Sequence, residues 1–209
     1  ITKNGLVERY TVGTDYIFDS VIFPFDIRGT KSHAKGLQRI GVLTSEELSV
    51  IMEELDNLLG LHADGKIEVR PEDEDCHTVI ENHLVAVLGD VGKKVHTGRS
   101  RNDQVLTAQR LYMKTKLDEI HGCVVLLSDA FLRFAKKNKD VPLPGYSHTQ
   151  QAMLSSVGHY ALSYVESLLD DAEFLTTVKK QIDCSPLGSA AGYGVCLLYT
   201  SPSPRDSSK

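Results

Sequence analysis

The sequence predicts an all-α protein in which a small N-terminal helical domain leads into the first long antiparallel helices of a central helical bundle that is left incomplete. Three observations predict it. Met113, Leu117, Ile120, Val124, Leu127, Phe131 and Phe134 recur at alternating spacings of four and three, a heptad seam. Val157, Ala161, Tyr164, Leu168, Leu175 and Val178 form a second seam after the break at Pro142-Leu143-Pro144-Gly145. Upstream, Thr44-Ser45-Glu46-Glu47 reads as a capping box opening a shorter helix, whose apolar face is Leu48, Ile51, Leu55 and Leu58.

Taken in order, residues 1–94 carry short helical patterns and the acidic run Glu72-Asp73-Glu74-Asp75, with no sustained heptad. They are expected to form the small domain. Residues 95–195 are expected to form the partial bundle. A helix from Asp103 to Asn138 would be about 50 Å long at about 1.5 Å per residue, far beyond the usual globular helix. The second long helix is expected to begin at Gly145 to Gln151. Two such helices joined by a short connection run antiparallel, and each exposes more apolar stripe than one partner covers, so the bundle is expected to be shared between subunits. Residues 196–209 change character, with two Ser-Pro steps and no periodicity. They resemble translated read-through into a sequencing adaptor, and are expected to be a non-native tail.

A formal net charge of -5, with Lys and Arg scattered, argues against a nucleic-acid partner. Cys76, Cys123, Cys184 and Cys196 form no C-x-x-C pair, so neither a disulfide framework nor a zinc knuckle is indicated and a cytoplasmic setting is expected. No apolar run is long enough to span a bilayer. Ile1 in place of Met hints at residues missing upstream.

Three clusters could carry chemistry. His96-Thr97-Gly98-Arg99-Ser100-Arg101-Asn102-Asp103-Gln104 packs two guanidiniums, two hydroxyls and amides into a turn before the long helix. Such a set suits carboxylates, through the planar guanidinium fork and the free N–H groups of a helix start. The same residues also fit an ordinary polar helix start, with Ser100 or Asn102 as cap. In Gly145-Tyr146-Ser147-His148-Thr149-Gln150-Gln151, His148 can carry a proton near neutral pH while Ser147 and Gln150 offer hydrogen bonds; a histidine at a helix start can equally be a surface residue. Asp75-Cys76-His77 with Glu81 places His77 and Glu81 on one helical face, a spacing that can bind metal but lacks clear further ligands. His33, near Asp26 and Thr30, is weak by itself.

Together these segments resemble the argininosuccinate lyases of the fumarase and aspartase superfamily, from about Thr11 to about Val195. His96 to Gln104 is similar to that family's first signature. Gly145 to Ala152 is similar to its Gly-Tyr-Thr-His-x-Gln-x-Ala signature. Asp26-Ile-Arg-Gly-Thr-Lys-Ser-His33, Glu74-Asp-Cys-His77 with Glu81, and Pro186-Leu-Gly-Ser189 match further segments in family order. The resemblance implies a β-elimination that splits argininosuccinate into arginine and fumarate without metal or other cofactor, in a cytoplasmic homotetramer whose sites are shared between subunits. It assigns His148 as the active-site histidine. Thr30, Asn102 and Ser147 would contact substrate, Arg99, Ser100 and Arg101 would cradle its carboxylates, and His77 and Gln150 would lie close by. Thr30 stands where the family has Ser, and Ser147 where it has Thr, both keeping the hydroxyl. Leu154 replaces a proline, a change expected to alter the first turn of the second helix. The family's third signature, a Ser-Ser-x-Met-Pro-x-Lys-x-Asn loop bearing the favoured catalytic serine, does not occur in these residues, so this chain alone is expected to be inactive. Other eliminating enzymes of the superfamily, a catalytically silent crystallin-like role and a heptad-driven interaction module are the rival readings.

Overall fold

The computed structural model describes Tyr10 and residues 13–188, so residues 196–209 lie outside the described residues. Among the described residues, seven helical segments and a two-stranded hairpin follow one another: α1 (Asp15–Arg39), α2 (Ser45–Ala63), a 3₁₀ turn (Pro71–Asp73), α3 (Cys76–Leu88), α4 (Asp90–Lys94), α5 (Arg101–Lys137), β1 (Pro142–Ser147), β2 (Gln150–Ser156) and α6 (Val157–Ile182). The all-α expectation holds apart from that hairpin. The described residues fall into two compact units, one within Ile1–Tyr112 and Cys184–Lys209, the other Met113–Asp183.

In the first unit, α1 buries Phe23, Asp26, Ile27, Thr30, His33, Ala34 and Leu37, the three- and four-residue spacing of one helical face. Thr44 caps α2 as expected: its hydroxyl accepts from the Glu47 N–H at 3.1 Å and the Glu47 carboxylate accepts from the Thr44 N–H at 3.0 Å. The apolar face of α2 then buries Ile51, Leu55 and Leu58, with Leu48 half-buried. At α3 the Asp75 carboxylate accepts from the Thr78 N–H at 2.7 Å, satisfying a donor that the helix leaves unpaired. Cys76, Ile80 and Leu84 of α3 join Phe23, Ile27, Leu37, Ile51, Leu55 and Leu58 in one core. Each fully buried aliphatic side chain there contributes about 1.5–3 kcal/mol. Gly92 lets α4 turn tightly back on α3, since a Cβ at that position would lie 2.3 Å from the Leu84 carbonyl oxygen.

In the second unit, α6 runs antiparallel to the C-terminal part of α5. Asp118 pairs with Lys179 near one end, Phe131 stacks on Tyr164 at 5.4 Å, and the Asn138 carbonyl accepts from the Gly158 N–H at 3.1 Å at the other. The two seams are thus legible, but only partly covered: Ile120, Leu127 and Phe134 are each about half exposed.

One expectation fails between them. Residues from Gly145 to Gln151 do not begin a helix; they form the end of an antiparallel hairpin in which Ser147 pairs with Gln150. His148 and Thr149 are the two turn residues, with φ of 50° and 64°. Positive φ at both central positions is the geometry that matches the twist of a two-residue hairpin. Leu154 accordingly sits in β2, paired with Pro144, and not in a first helical turn. The helix starts later, at Val157, where the Ser156 hydroxyl accepts from the His159 N–H.

Candidate functional site

A small pocket in the first unit is lined by residues of four helices and the loop before α5. Asp26 and Thr30, one turn apart, come from α1, and His77 and Glu81, also one turn apart, from α3. His96, Arg99 and Gln104 complete its polar wall, while Ile80, Leu84 and Val95 supply apolar surface. Its volume is about 20 Å³, room for about one water molecule.

The polar groups are bound tightly to one another. His77 Nδ1 lies 2.7 Å from Asp26 Oδ2, both side chains almost wholly inaccessible. The Arg99 guanidinium donates through Nη1 to the Thr30 hydroxyl at 3.0 Å and stands 3.7 Å from Asp26 Oδ1. With the Gln104 amide turned so that its oxygen faces Arg99, that oxygen lies 3.2–3.3 Å from all three guanidinium nitrogens. Burial draws the Arg99 pKa down, while the Asp26, Asp103 and Glu81 charges oppose that shift. Behind Arg99, His33 Nε2 lies 3.0 Å from the Thr97 carbonyl, to which it donates. Burial, helped by the nearby Arg99 charge, lowers the His33 pKa to about 4.

Of the residues singled out in the sequence, Thr30, His77 and Arg99 therefore meet in one place. Arg99 is committed to internal partners and does not face outward as a free fork. Arg101 lies at the start of α5, where it pairs with Asp75 and donates to the Thr78 hydroxyl at 3.0 Å, tying α5 to the capped end of α3. Ser100 donates its N–H to Asp103 Oδ1 at 3.1 Å and Asn102 is exposed, so the polar helix start that the sequence also allowed is present. Ser147, His148 and Gln150 are exposed at the hairpin end, in the second unit. Asp26 and Gln104 are pocket residues to which the sequence assigned no role, although both lie inside the segments that carried the resemblance.

Asp26, Cys76 and His77 also bring three metal-ligand atoms within 4.8 Å of one another. Their surroundings do not suit a cation. The Arg99 guanidinium already sits beside Asp26, His77 Nδ1 is engaged with the same carboxylate, and burial pushes the Cys76 thiol up, away from the thiolate a metal needs.

A family model described as "Lyase" matches residues 8–203. This chain belongs to that lyase family. It is 49% identical to an argininosuccinate lyase of Thermotoga neapolitana over 93% of its own length and 49% of the relative's. Against an argininosuccinate lyase of Sorangium cellulosum the identity is 44%, over 90% of this chain and 44% of that one. The chain spans about half the length of the curated relatives it matches. Among solved structures, an EDDS lyase variant with bound fumarate superposes with a TM-score of 0.76 at 26% identity, covering 93% of this chain and 39% of that one. A fumarate lyase:delta crystallin from Brucella melitensis gives a TM-score of 0.72 at 17% identity, covering 87% of this chain and 44% of that one, a likeness of fold alone. Among the described residues, no helix is long and apolar enough to cross a membrane.

Proposed function

We propose that the whole protein is an argininosuccinate lyase, eliminating arginine from argininosuccinate to leave fumarate. The observation that carries this reading is the 49% identity to a named argininosuccinate lyase over 93% of the chain. The intact His96 to Gln104 segment, folded around the Thr30, His77 and Arg99 pocket, supports it.

The reaction removes a proton from the carbon next to a carboxylate. The C–H electron pair becomes the C=C bond of fumarate, and the C–N pair leaves with the guanidinium nitrogen, which takes up a proton. His148 is the proton acceptor in this reading. Negative charge builds on the carboxylate as the proton departs, so donors held ready for it lower the barrier. Ser100, Arg101 and Asn102 supply them at the start of α5, where the helix dipole adds to the field. Arg99 acts indirectly, holding Thr30, Asp26 and Gln104 in place, and Thr30, His77, Ser147 and Gln150 contact substrate. No metal or other cofactor takes part.

In the same reading the protein works in the cytoplasm as a homotetramer. The exposed Ile120, Leu127, Phe134 and Phe174 of α5 and α6 are the surfaces that a bundle of further helices would cover. Residues 196–209 take no part in it, and the family's serine loop is supplied from elsewhere in the whole protein.

The test is to assay the complete gene product against argininosuccinate, adenylosuccinate, aspartate and malate. Fumarate and arginine from argininosuccinate alone are expected. Preference for another substrate would overturn the assignment. The purified 209-residue chain should form no fumarate above a His148→Ala control.

A further inference from the structure

The Asp26 and His77 pair has an unused half. His77 Nδ1 is 2.7 Å from Asp26 Oδ2, yet His77 Nε2 is buried without a hydrogen-bond partner among the described residues, although the ring lines the pocket. A buried polar nitrogen left unpaired is costly, and the large majority of buried side-chain polar atoms have a partner. On the far side of the pair, Arg99 stands 3.7 Å from the other Asp26 oxygen. A carboxylate oxygen can only accept, so the Asp26 contact selects the ring form that carries a proton on Nδ1.

We propose that Asp26 is a positioning residue: it accepts the Nδ1 proton of His77, fixes the ring, and presents His77 Nε2 to the pocket as a hydrogen-bond acceptor for an N–H or O–H group of the bound ligand. The backbone supports this arrangement from both sides. Asp26 lies one helical turn before Thr30 on the buried face of α1, and His77 follows directly on the first residue of α3, whose cap Asp75 is held by Arg101. Neither ring nor carboxylate can rotate freely, since both side chains are at most 3% exposed. Only the identity of the ligand rests on the lyase reading; the proton's location does not.

The ring nitrogens can be read directly by long-range ¹H–¹⁵N correlation on the histidine-labelled chain at neutral pH. His77 is expected to show a protonated-type Nδ1 and an unprotonated-type Nε2. In Asp26→Asn the carboxamide no longer demands that proton, and the ring should shift toward the form protonated on Nε2, with Asp26→Glu restoring the original pattern. Finding Nε2–H, or protons on both nitrogens, in the unsubstituted chain would overturn the proposal even if no variant folded. So would an Asp26→Asn spectrum identical to the original. In the complete protein, Asp26→Asn should lower kcat/KM by about 10- to 100-fold, the range seen when a supporting carboxylate is removed. That loss should be borne by the alternative substrate as well if the protein proves to be a different eliminating enzyme, so the two readings fail separately.

Discussion

Arg99 Nη1 donates to the Thr30 hydroxyl at 3.0 Å from a side chain only 2% exposed, while the same guanidinium faces Asp26. A cation this deeply buried is held by its partners and not by solvent, so its removal leaves Asp26 as an uncompensated buried charge. Arg99→Ala is expected to cost about 3–5 kcal/mol in stability, read from the shift of the urea unfolding midpoint. Arg99→Lys should recover only part of that, because an ammonium cannot reach Thr30, Asp26 and Gln104 at once. A loss below about 1 kcal/mol for Arg99→Ala, the value typical of a surface pair, would place the guanidinium outside the buried network.

Thr30 tests the hydroxyl alone. Its side chain is buried, and Arg99 depends on it for a charge-assisted hydrogen bond. Thr30→Ser keeps the acceptor and loses one buried methyl, so about 1 kcal/mol is expected. Thr30→Val keeps the shape but orphans the donor, at about 1.5–3 kcal/mol. The order Ser milder than Val is the diagnostic. Its reversal would mean that the methyl matters more than the hydroxyl.

His33 sets a pH window. Burial first, and then the Arg99 charge, lower its pKa from 6.5 to about 4, so the folded chain keeps the ring neutral where the unfolded chain takes up a proton. The unfolded state binds more protons between those two values, and stability must therefore fall as pH drops from about 6.5 toward 4. Summed over the window the loss is about 3 kcal/mol. Unfolding midpoints measured across this range in the original chain and in His33→Gln should converge at low pH. A His33 ring titrating near 6.5 by NMR would remove the basis of the prediction.

The legible parts of the fold were those in which one periodicity runs uninterrupted. The heptad seam located the 37-residue α5, and the Thr44 and Glu47 pair located the start of α2. By contrast, α1 spans 25 residues without a clear apolar stripe, because Asp26, Thr30 and His33 occupy buried positions that a purely structural helix would fill with aliphatic side chains. The pocket's chemistry is what obscures its scaffold. Asp26, named only as a neighbour of His33, received no role for a related reason: its meaning comes from His77, 51 residues away, and no local spacing encodes that contact. The hairpin was hidden by its turn, since His148 and Thr149 take a conformation normally announced by Asn-Gly or Asp-Gly.

That turn yields the last prediction. Thr149 has φ of 64°, and a β-branched residue in the left-handed region is strained by its own side chain, at a cost of order 1–2 kcal/mol. Histidine tolerates the region better, so most of the strain lies at position 149 and not at His148. Glycine removes the Cβ responsible, but it also gains freedom in the unfolded chain, which offsets part of the benefit. Thr149→Gly is therefore expected to stabilise the hairpin by about 1 kcal/mol, slowing amide hydrogen exchange across Pro142–Ser156 by about fivefold. Thr149→Val, which keeps the branched Cβ and loses only the hydroxyl that donates to the His148 carbonyl at 2.6 Å, should bring no such gain. If both substitutions accelerate exchange alike, the hydroxyl and not the backbone governs the turn. If only glycine slows it, the strain is real, and the protein tolerates it to keep a threonine beside His148.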